Sequence, residues 1–399
     1  MDRVILHCDC NCFFASVEMI SRPELREVPM AVCGDPESRH GIILAKNEKA
    51  KAFRVQTAET IWQAKSKCPQ LVLVKPHYQE YARISKAVNE IYHRFTDYIE
   101  PFGIDESWLD VTDSQRLFGD GRTIADTLRE TVRKELGITI SVGVSFNKVF
   151  AKLGSDYKKP DATTVVDREN FRKMLFPLPA SDMLYVGRAT KTTLEKLGIR
   201  TIGELAAADP NLLNKHLGKL GYMLNRYANG EDSSRVMKFG EQEEVKSVSN
   251  GMTFLRDLVS EQDVRTAVTA LCDLVSSRMR KYCLKCTTVS VTVKSPDFHS
   301  FSRQKTLPAP VDSAKALHDA ALELIGRMGT EDKPIRSLTI AANQLTSLGC
   351  EGQQIGIFDE NAFTGKDDQV SNAMDRIRSK YGNASIRYGS VIKNDLGIK

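Results

Sequence analysis

The stretch Tyr98-Ile-Glu-Pro-Phe-Gly-Ile-Asp105-Glu106-Ser-Trp-Leu-Asp-Val111 places two adjacent acidic residues inside an apolar, aromatic run. Neighbouring residues of a strand point to opposite faces, so two carboxylates aimed at one place require a bend, and Pro101 and Gly103 are typical of one. We therefore predict a strand, a tight turn that carries Asp105 and Glu106, and a returning strand. Carboxylates packed against an apolar sheet lose hydration and repel each other, so they stay ionised only beside a cation or a hydrogen-bond donor. A hard divalent metal ion is the natural candidate.

A third carboxylate, Asp9, follows an apolar run that predicts a buried strand from Val4 to Cys8. If this strand lies beside the acidic hairpin, then Asp9, Asp105 and Glu106 converge at one edge and can bridge two Mg²⁺ ions. Two such ions about 4 Å apart stabilise the attacking and leaving oxygens of an in-line phosphoryl transfer. Mg²⁺ suits these hard oxygen ligands better than Zn²⁺, because the sequence has no histidine at metal-ligand spacing. His7 alternates with Asp9 along the strand, and we interpret it as a core histidine.

The composition of the 399 residues is ordinary for a globular protein, with 41% hydrophobic and 27% charged residues. This length predicts about two to four domains. The net charge of +5 is compatible with a polyanionic partner but does not identify one. The sequence contains no apolar stretch that could span a bilayer and no signal-like start, so we expect a cytosolic protein. We expect the nine cysteines, including Cys8-Asp-Cys-Asn-Cys12 and Cys283-Leu-Lys-Cys286, to be buried reduced thiols.

Strand and helix patterns alternate over the first ~165 residues and predict an α/β layer with a mixed sheet. The further strands predicted there are Met30–Cys33, Ile42–Ala45 and Ile138–Val144, and the helices are Phe13–Ile20, Tyr78–Phe95, Ile124–Leu136 and Asn147–Asp156. From about Leu178 to Gly230, short helices are broken by glycine, as in Val186-Gly187-Arg188. Such turns either present backbone N–H groups to phosphate or simply end packed helices, and this segment alone does not decide between the two.

The remainder of the chain begins with a polar segment, Gly230–Glu244, that predicts a linker. A second compact unit with the order β-α-β-β-α-β follows. Its predicted elements are Val245–Phe254, Gln262–Lys281, Thr287–Lys294, Phe298–Thr306, Ser313–Met328 and Ile335–Ala342. A polar helix is expected from about Asp367 to Tyr381.

Basic residues cluster in and after the predicted helix Asn147–Asp156. Lys148 and Lys152 share a helix face, and Lys158 and Lys159 lie at its end. A solvated helix face is the ordinary explanation for such lysines, but a triphosphate also needs several cations where it docks. The three carboxylates strengthen the phosphate interpretation.

Several ordered motifs together resemble the Y-family translesion DNA polymerases. They are Asp9-Cys-Asn-Cys-Phe-Phe14-Ala-Ser-Val-Glu18, Gly103-Ile-Asp105-Glu106-Ser-Trp-Leu-Asp-Val111 and Gly143-Val-Ser-Phe-Asn-Lys-Val-Phe-Ala-Lys152, the last continuing to Lys158-Lys159-Pro160. The resemblance implies a multidomain protein of mixed α+β and α/β class. Its expected parts are a palm with a mixed β-sheet and small fingers over 1–166 (fingers 20–77), a helix-hairpin-helix thumb over 167–230, a linker over 231–244, a separate β-α-β-β-α-β little finger over 245–345 and a C-terminal tail over 346–399.

The resemblance also implies roles for individual residues. Asp9, Asp105 and Glu106 would be the catalytic residues and, together with the backbone carbonyl of Cys10, would bind two Mg²⁺ ions. Phe14 matches an aromatic steric gate, whose ring would clash with a ribose 2′-hydroxyl; without the motif it would be taken as a core aromatic residue. The implied nucleotide-binding residues are Cys12, Phe13, Phe14, Lys51 and Lys159, and Gly187 would contact the DNA backbone.

The chain departs from the family pattern where a tyrosine and an arginine usually face the triphosphate, because Glu48 and Lys51 stand there. Lysine keeps the charge but loses the bidentate fork, and a glutamate pointed at phosphate would repel it. Lys46 or Lys49 could compensate. Further departures are Asn11 for a common aspartate, Gly103 for the usual serine before the acidic pair, and Val186-Gly187-Arg188-Ala189 for a Pro-Gly-hydrophobic-Gly turn.

The tail contains Gln354-Ile-Gly-Ile-Phe358, which resembles the motif by which bacterial polymerases bind the sliding clamp. Its anchors would be Gln354, Ile357 and Phe358, a short apolar set that suits docking in a groove. The alternative is an ordinary turn with one buried phenylalanine.

The sequence therefore predicts a template-directed DNA polymerase of the translesion type, which adds deoxynucleotides to a primer 3′-hydroxyl and releases pyrophosphate at low fidelity without proofreading. Its expected partners are primer-template DNA, deoxynucleoside triphosphates and the sliding clamp, with no membrane, and we expect a cytoplasmic monomer that works at the nucleoid. One alternative is a non-catalytic DNA- and clamp-binding protein, if Glu48 and Lys51 cannot hold a triphosphate. The other is a nucleotide cyclase, which would leave the thumb-like helices unexplained.

Overall fold

The computed structural model describes residues 2–35, 41–241, 244–329, 333–347, 365–392 and 394–398. The chain divides into two compact units, Met1–Gln242 and Glu243–Lys399, and each has its own buried core. None of the described helices combines the length and the apolar composition needed to cross a bilayer.

The first unit is built on a five-stranded mixed sheet with the order β5-β6-β1-β7-β8. The eight strands of this unit are β1 (Ile5–Cys10), β2 (Met30–Cys33), β3 (Ile43–Lys46), β4 (Val72–Val74), β5 (Ile99–Pro101), β6 (Glu106–Asp110), β7 (Ile140–Ser145) and β8 (Thr163–Val166). Strand β1 pairs antiparallel with both β6 and β7, whereas β7 and β8 are parallel. The predicted mixed sheet is confirmed.

Among the described residues of this unit, twelve α-helices accompany these strands. They are α1 (Phe13–Ser21), α2 (Glu48–Ala52), α3 (Ile61–Lys67), α4 (Tyr78–Tyr92), α5 (Gln115–Phe118), α6 (Gly121–Leu136), α7 (Lys148–Tyr157), α8 (Phe171–Leu175), α9 (Arg188–Lys196), α10 (Ile202–Ala207), α11 (Pro210–Leu217) and α12 (Lys219–Ala228). Helices α4 and α6 bury apolar residues at helical spacing, such as Ile84, Val88 and Ile91 on α4, against the Leu6 side of β1. Every residue of β1 is buried, as expected for a strand with sheet on both edges.

Helix α7 lies unusually close to the sheet because β7 has a glycine at its contact point. A Cβ atom on Gly143 would stand 1.9 Å from the Ala151 carbonyl oxygen and 2.4 Å from the Ser155 nitrogen, both on the α7 backbone. Any larger residue would therefore push the helix away. The close approach fixes the distance between the sheet and the lysines that α7 carries.

A second, three-stranded sheet with the order β3-β2-β4 forms a smaller subregion with α2 and α3. The sequence predicted β2 and β3, but β4 and both helices were missed because they are short. The buried Asn47 connects these pieces: its Oδ1 accepts from the backbone of Met30 and Ala50, and its Nδ2 donates to the carbonyl of Val28. Asn47 is thus the N-cap of α2, which begins at Glu48.

The predicted linker is docked over much of its length. Residues 231–241 run back along the first unit, and Val236 is buried in a cluster with Ile5, Trp108 and Ala151. The backbone N–H of Met237 donates to Glu100, and that of Phe239 donates to the Asp97 carbonyl. Polar composition suggested a free connection because the few apolar residues in the segment are widely spaced.

The second unit has the order β9 (Ser247–Leu258), α13 (Glu261–Lys281), β10 (Leu284–Lys294), β11 (Ser300–Val311), α14 (Ala314–Gly326) and β12 (Ile335–Ser347). All pairs in its four-stranded sheet, ordered β11-β10-β12-β9, are antiparallel. The predicted β-α-β-β-α-β order is confirmed, and the core lies between this sheet and its two helices.

The C-terminal residues that the structure describes pack on this unit. Helix α15 (Gly365–Tyr381) is joined to α13 by ion pairs of Asp375 with Arg280 and of Arg378 with Asp273, each with N–O distances of 2.7 Å. Beyond the helix, Leu396 is buried in the core and its carbonyl accepts from the backbone of Leu255. This part of the tail belongs to the second unit.

We predict that Gly143→Ala lowers the free energy of unfolding by about 3 kcal/mol or more, because the new methyl group collides with helix backbone rather than with a movable side chain. Denaturant unfolding measures the change. Gly187→Ala is the matched control, since a Cβ atom there meets no described atom within 4 Å. Equal stability of the two variants would show that α7 does not depend on Gly143.

Candidate active site

The paired ends of β1 and β6 bring the three predicted carboxylates together. Asp9 is the register partner of Glu106, and the N–H of Cys10 donates to the Asp105 carbonyl over 3.0 Å. The turn is shorter than predicted: Glu106 is the first residue of β6, and only Asp105 lies in the turn. Glu106 belongs to the strand because its backbone pairs with β1 and its carbonyl accepts from Phe102.

Two lysines from α7 and the loop after it neutralise this acidic edge. Lys159 Nζ lies 2.5 Å from Asp9 Oδ2 and 2.5 Å from Asp156 Oδ1. Lys152 Nζ lies 2.5 Å from Glu106 Oε2. Both lysines therefore contact the carboxylates directly. They lie where a bound phosphate would also need positive charge.

The other two lysines of the basic cluster do not join the site. Lys148 is turned to Glu100, 2.5 Å away, and its ammonium lies 4.5 Å from the centre of the Trp108 ring. Lys158 is exposed. The prediction that Lys148 and Lys152 share a helix face agrees with their spacing on α7. Their side chains nevertheless pair with carboxylates on different strands, Lys148 with Glu100 on β5 and Lys152 with Glu106 on β6.

The carboxyl groups differ in how readily they ionise. Burial raises the pKa of Asp9 to about 7, although the Lys159 ammonium opposes this. Burial and the neighbouring Glu106 likewise raise the pKa of Asp105. Burial also disfavours the charged form of Glu106, but His7 and Lys152 outweigh it and hold the Glu106 pKa well below its ordinary value. The site therefore combines one firmly ionised carboxylate with two whose charge depends on a nearby cation.

These groups fit a hard cation by chemistry but are not a preassembled metal site. Among the residues that the structure describes, no three carboxylate, imidazole or thiol side chains stand close enough to hold an ion as they are. Lys159 and Lys152 instead contact the oxygens of Asp9 and Glu106. Oxygen-only donors with partly raised pKa values suit Mg²⁺, which would have to replace ammonium groups and protons.

His7 is a buried neighbour of the acidic edge rather than a fully bonded core residue. Its Nδ1 is 2.8 Å from Ser155 Oγ, which itself donates to the Lys152 carbonyl. Within the described residues, Nε2 has no hydrogen bond and stands 3.5 Å from Glu106 Oε2. Burial lowers the pKa of His7, although Glu106 opposes this.

Phe14 is held in place by a stack that the sequence analysis did not foresee. Its half-buried ring lies parallel to the Tyr81 ring, with 4.2 Å between centroids and 13° between planes. The Tyr81 hydroxyl donates to Glu18, a carboxylate only 3% exposed that also contacts His77 and Arg22. The sequence contained a signal for each partner. Glu18 is the last residue of the motif that contains Phe14, and the apolar spacing of α4 predicts that Tyr81 faces inward. The Phe13 ring is buried in the core, so only its backbone is left for a ligand.

Glu48 faces the start of α1, on the same side as Lys51. The Cys12 thiol is 3.4 Å from Glu48 Oε1, and Lys51 Nζ is 3.6 Å from Glu48 Oε2. The lysines that could compensate are bonded elsewhere, Lys46 to Thr57 and Lys49 to Glu27. Lys51 is thus the cation of α2 that shares a surface with Cys12.

The remaining predicted residues lie apart from this edge. Gly187 is the residue before α9, and a Cβ atom added to it would meet no described atom within 4 Å. Gln354, Ile357 and Phe358 lie outside the described residues. The described cysteines are free thiols, and most are buried; Cys283 is exposed, contrary to expectation, because it occupies the turn between α13 and β10.

Comparison with known proteins finds DNA polymerases that are similar to this chain in sequence and in fold. Residues 8–156 match the impB/mucB/samB family, and residues 245–356 match the C-terminal domain of that family. The chain is 43% identical to the DNA polymerase IV of Acetivibrio thermocellus over 100% of this chain and 99% of that protein. It is 34% identical to the DNA polymerase IV of Clostridium acetobutylicum over 99% of this chain and 100% of the relative. The fold resembles a solved Y-family DNA polymerase chimera, Dbh-Dpo4(243-245)-Dbh, with a TM-score of 0.76 and 22% identity over 86% of this chain and 99% of that one.

We predict that Lys152→Met raises the pKa of Glu106 toward its ordinary value, because the ammonium group beside Oε2 is lost while burial remains. Carbon NMR titration of the side-chain carboxyls measures the shift in metal-free protein. Lys158→Met is the control, since that side chain is exposed. A Glu106 pKa that is the same in both variants would contradict the assignment.

Proposed function

The chain belongs to the impB/mucB/samB family of Y-family DNA polymerases, and from this premise we propose that it extends a DNA primer by two-metal phosphoryl transfer. It is a DNA-directed DNA polymerase. The observation that carries the mechanism is the convergence of Asp9, Asp105 and Glu106 at the paired ends of β1 and β6, with Lys159 beside them.

The three carboxylates would hold two Mg²⁺ ions, with the Cys10 carbonyl as a further ligand. Bound there, the ions would neutralise charge on the phosphate oxygens during transfer. The protein contributes position: β1 and β6 are fixed by their ladder, and Gly143 lets α7 bring Lys152 against Glu106. Such preorganised charge is what phosphoryl transfer chiefly requires of a protein.

Lys159 would bind the triphosphate of the incoming deoxynucleotide. In the nucleotide-free arrangement it is paired with Asp9 and Asp156, and these carboxylates outweigh burial and raise its pKa, so it is fully charged. A phosphate that replaces Asp9 as its partner meets a cation already in the site. Lys51 and the backbone of Cys12 and Phe13 would line the same pocket.

Phe14 would select the deoxyribose by excluding a 2′-hydroxyl. The stack on Tyr81 and the bond from Tyr81 to Glu18 support this role, because a ring can exclude one hydroxyl group only if it cannot tilt away. We assign no catalytic step to Phe14.

We propose that residues 1–166 form the palm with fingers at 20–77, residues 167–230 the thumb, residues 231–244 the linker, residues 245–345 the little finger and residues 346–399 the tail. Within the thumb, the space beside Gly187, where a Cβ atom would meet no described atom within 4 Å, supports a close approach of DNA phosphate to the backbone. Such contacts are independent of sequence and weaken with salt. We also propose that the protein is a monomer that copies past damaged templates at low fidelity and without proofreading. It would bind the sliding clamp through Gln354, Ile357 and Phe358.

One observation bears on the alternative of a non-catalytic DNA- and clamp-binding protein, which the similarity to DNA polymerases does not favour. Glu48 is turned to Cys12 and Lys51, so a carboxylate stands where the triphosphate would lie. If it cannot yield, DNA would bind without nucleotide addition. Primer extension separates the two candidates.

We predict that Asp105→Ala and Glu106→Ala each reduce primer extension with Mg²⁺ and deoxynucleotides by at least about 100-fold, because each removes a proposed ligand of the Mg²⁺ ions that would neutralise the reacting phosphate. Asp113→Ala is the matched control, since Asp113 is an exposed acid near the same strand. Incorporation that survives both changes would exclude the metal assignment. A wild type that binds primer-template but adds nothing would favour the binding protein.

We predict that Glu48→Gln lowers KM for deoxynucleotides about twofold to fivefold with little change in kcat, the size of an exposed charge interaction. The substitution keeps the side chain's shape but removes a negative charge beside Lys51. Steady-state single-nucleotide insertion measures KM and kcat. Glu27→Gln is the control, because Glu27 pairs with Lys49 rather than with Lys51. An unchanged or higher KM would mean that Glu48 does not oppose the triphosphate.

A further inference from the structure

The loop that carries Lys159 has an anchor on its far side. Lys159 is followed by Pro160 and then Asp161, shortly before β8 begins at Thr163. Asp161 has a φ of 52°, a left-handed conformation that costs free energy for a residue with a side chain. A loop in this state needs contacts that hold it, and Asp161 has them on both its side chain and its backbone.

Two arginines one turn apart on α6 grip Asp161. Arg129 Nε and Nη2 lie 3.2 Å and 2.9 Å from Asp161 Oδ1, and Nη2 also donates to the Asp161 carbonyl. Arg133 Nη2 donates to the other carboxylate oxygen, Oδ2. The guanidinium fork of Arg129 thus holds the backbone of the loop as well as its charge.

Arg129 is itself fixed from the other end of the loop. Its Nη1 lies 3.1 Å from Asp126 Oδ1 and 3.4 Å from the Thr163 hydroxyl, which donates to Asp126 over 2.6 Å. The Arg129 side chain is only 18% exposed. A single exposed ion pair contributes little, but a bidentate, half-buried network with a backbone acceptor is the kind that does.

The network stands on a rigid base. Helix α6 buries Ile124, Leu128 and Val132 in the core that it shares with the central sheet, and Arg129 and Arg133 extend from it to the loop before β8. Only Pro160 separates Asp161 from Lys159, so Asp161 cannot move far without moving Lys159. The position of Lys159 beside Asp9 therefore depends on α6 through Asp161.

We infer that Arg129, assisted by Arg133, is a positioning residue for nucleotide binding: it holds Asp161 and thereby sets where the Lys159 ammonium group stands. The inference rests on the proposed role of Lys159 toward the triphosphate. Arg129 touches neither the three carboxylates nor the nucleotide site in this arrangement, so its effect passes through Lys159.

A double-mutant cycle tests the inference in the full-length protein. Arg129→Ala is expected to lower kcat/KM for deoxynucleotides between about 10-fold and 100-fold, the cost of a small misplacement, mainly through KM. In a Lys159→Ala background the same change should have almost no further effect, since the group it positions is gone. Losses that multiply in the double variant, or an Arg129→Ala variant with wild-type KM, would overturn the inference.

Two further variants separate positioning from folding. Asp161→Gly removes the gripped side chain but suits the left-handed backbone, so it should reproduce the Arg129→Ala defect without its stability loss. Lys134→Ala, on the exposed face of the same helix, should leave kcat/KM unchanged, because Lys134 pairs with Glu130, outside this network. A normal Asp161→Gly enzyme would also overturn the inference.

A readout without catalysis distinguishes this inference from the proposed function. The rate at which Lys159 reacts with an acylating reagent, followed by mass spectrometry, should rise several-fold in Arg129→Ala and Asp161→Gly because the ammonium group leaves Asp9 and Asp156. Lys134→Ala should match wild type. An inactive wild type with this labelling pattern refutes the proposed function but keeps the positioning network, whereas unchanged labelling refutes the network.

Discussion

Burial of carboxylates at the paired ends of β1 and β6 imposes a free-energy cost that the surrounding residues must offset. The ladder that aligns Asp9 with Glu106 keeps both carboxylates at a largely buried place, where each is paired with a cation. Lys159 and Lys152 meet that demand from α7 and its following loop. Much of the first unit serves this arrangement: Gly143 permits the close helix, and Arg129 and Asp161 hold the loop.

The acidic edge could be predicted from sequence because it depends on patterns only a few residues long. A buried apolar run ending at Asp9, a turn signal before Asp105 and helical spacing in α4 are local properties, and each leads to the observed element. The resemblance to Y-family polymerases then joined them into one site. Glu106 was misplaced by a single residue because the strand pairing that includes it is set by β1, which lies almost a hundred positions earlier in the chain.

Features that depend on distant partners could not be predicted in this way. Lys148 turns to Glu100 and Phe14 stacks on Tyr81, and neither contact has a sequence period. The docked segment 231–241 and the anchored α15 look polar because their attachment uses one buried residue or two ion pairs rather than an apolar stripe. The contact of Arg129 with Asp161 could not be predicted either, because an arginine on an amphipathic helix is ordinarily solvated.

The double pairing of Lys159 has a thermodynamic consequence for how the enzyme fills. One ammonium group cannot both neutralise Asp9 and bind a triphosphate at full strength, so a nucleotide that draws Lys159 away also frees the Asp9 carboxylate for a metal cation. A cation on Asp9 in turn releases Lys159 toward phosphate. On the proposed function, the two ligands are therefore linked with positive cooperativity, and each raises the affinity for the other by the same factor.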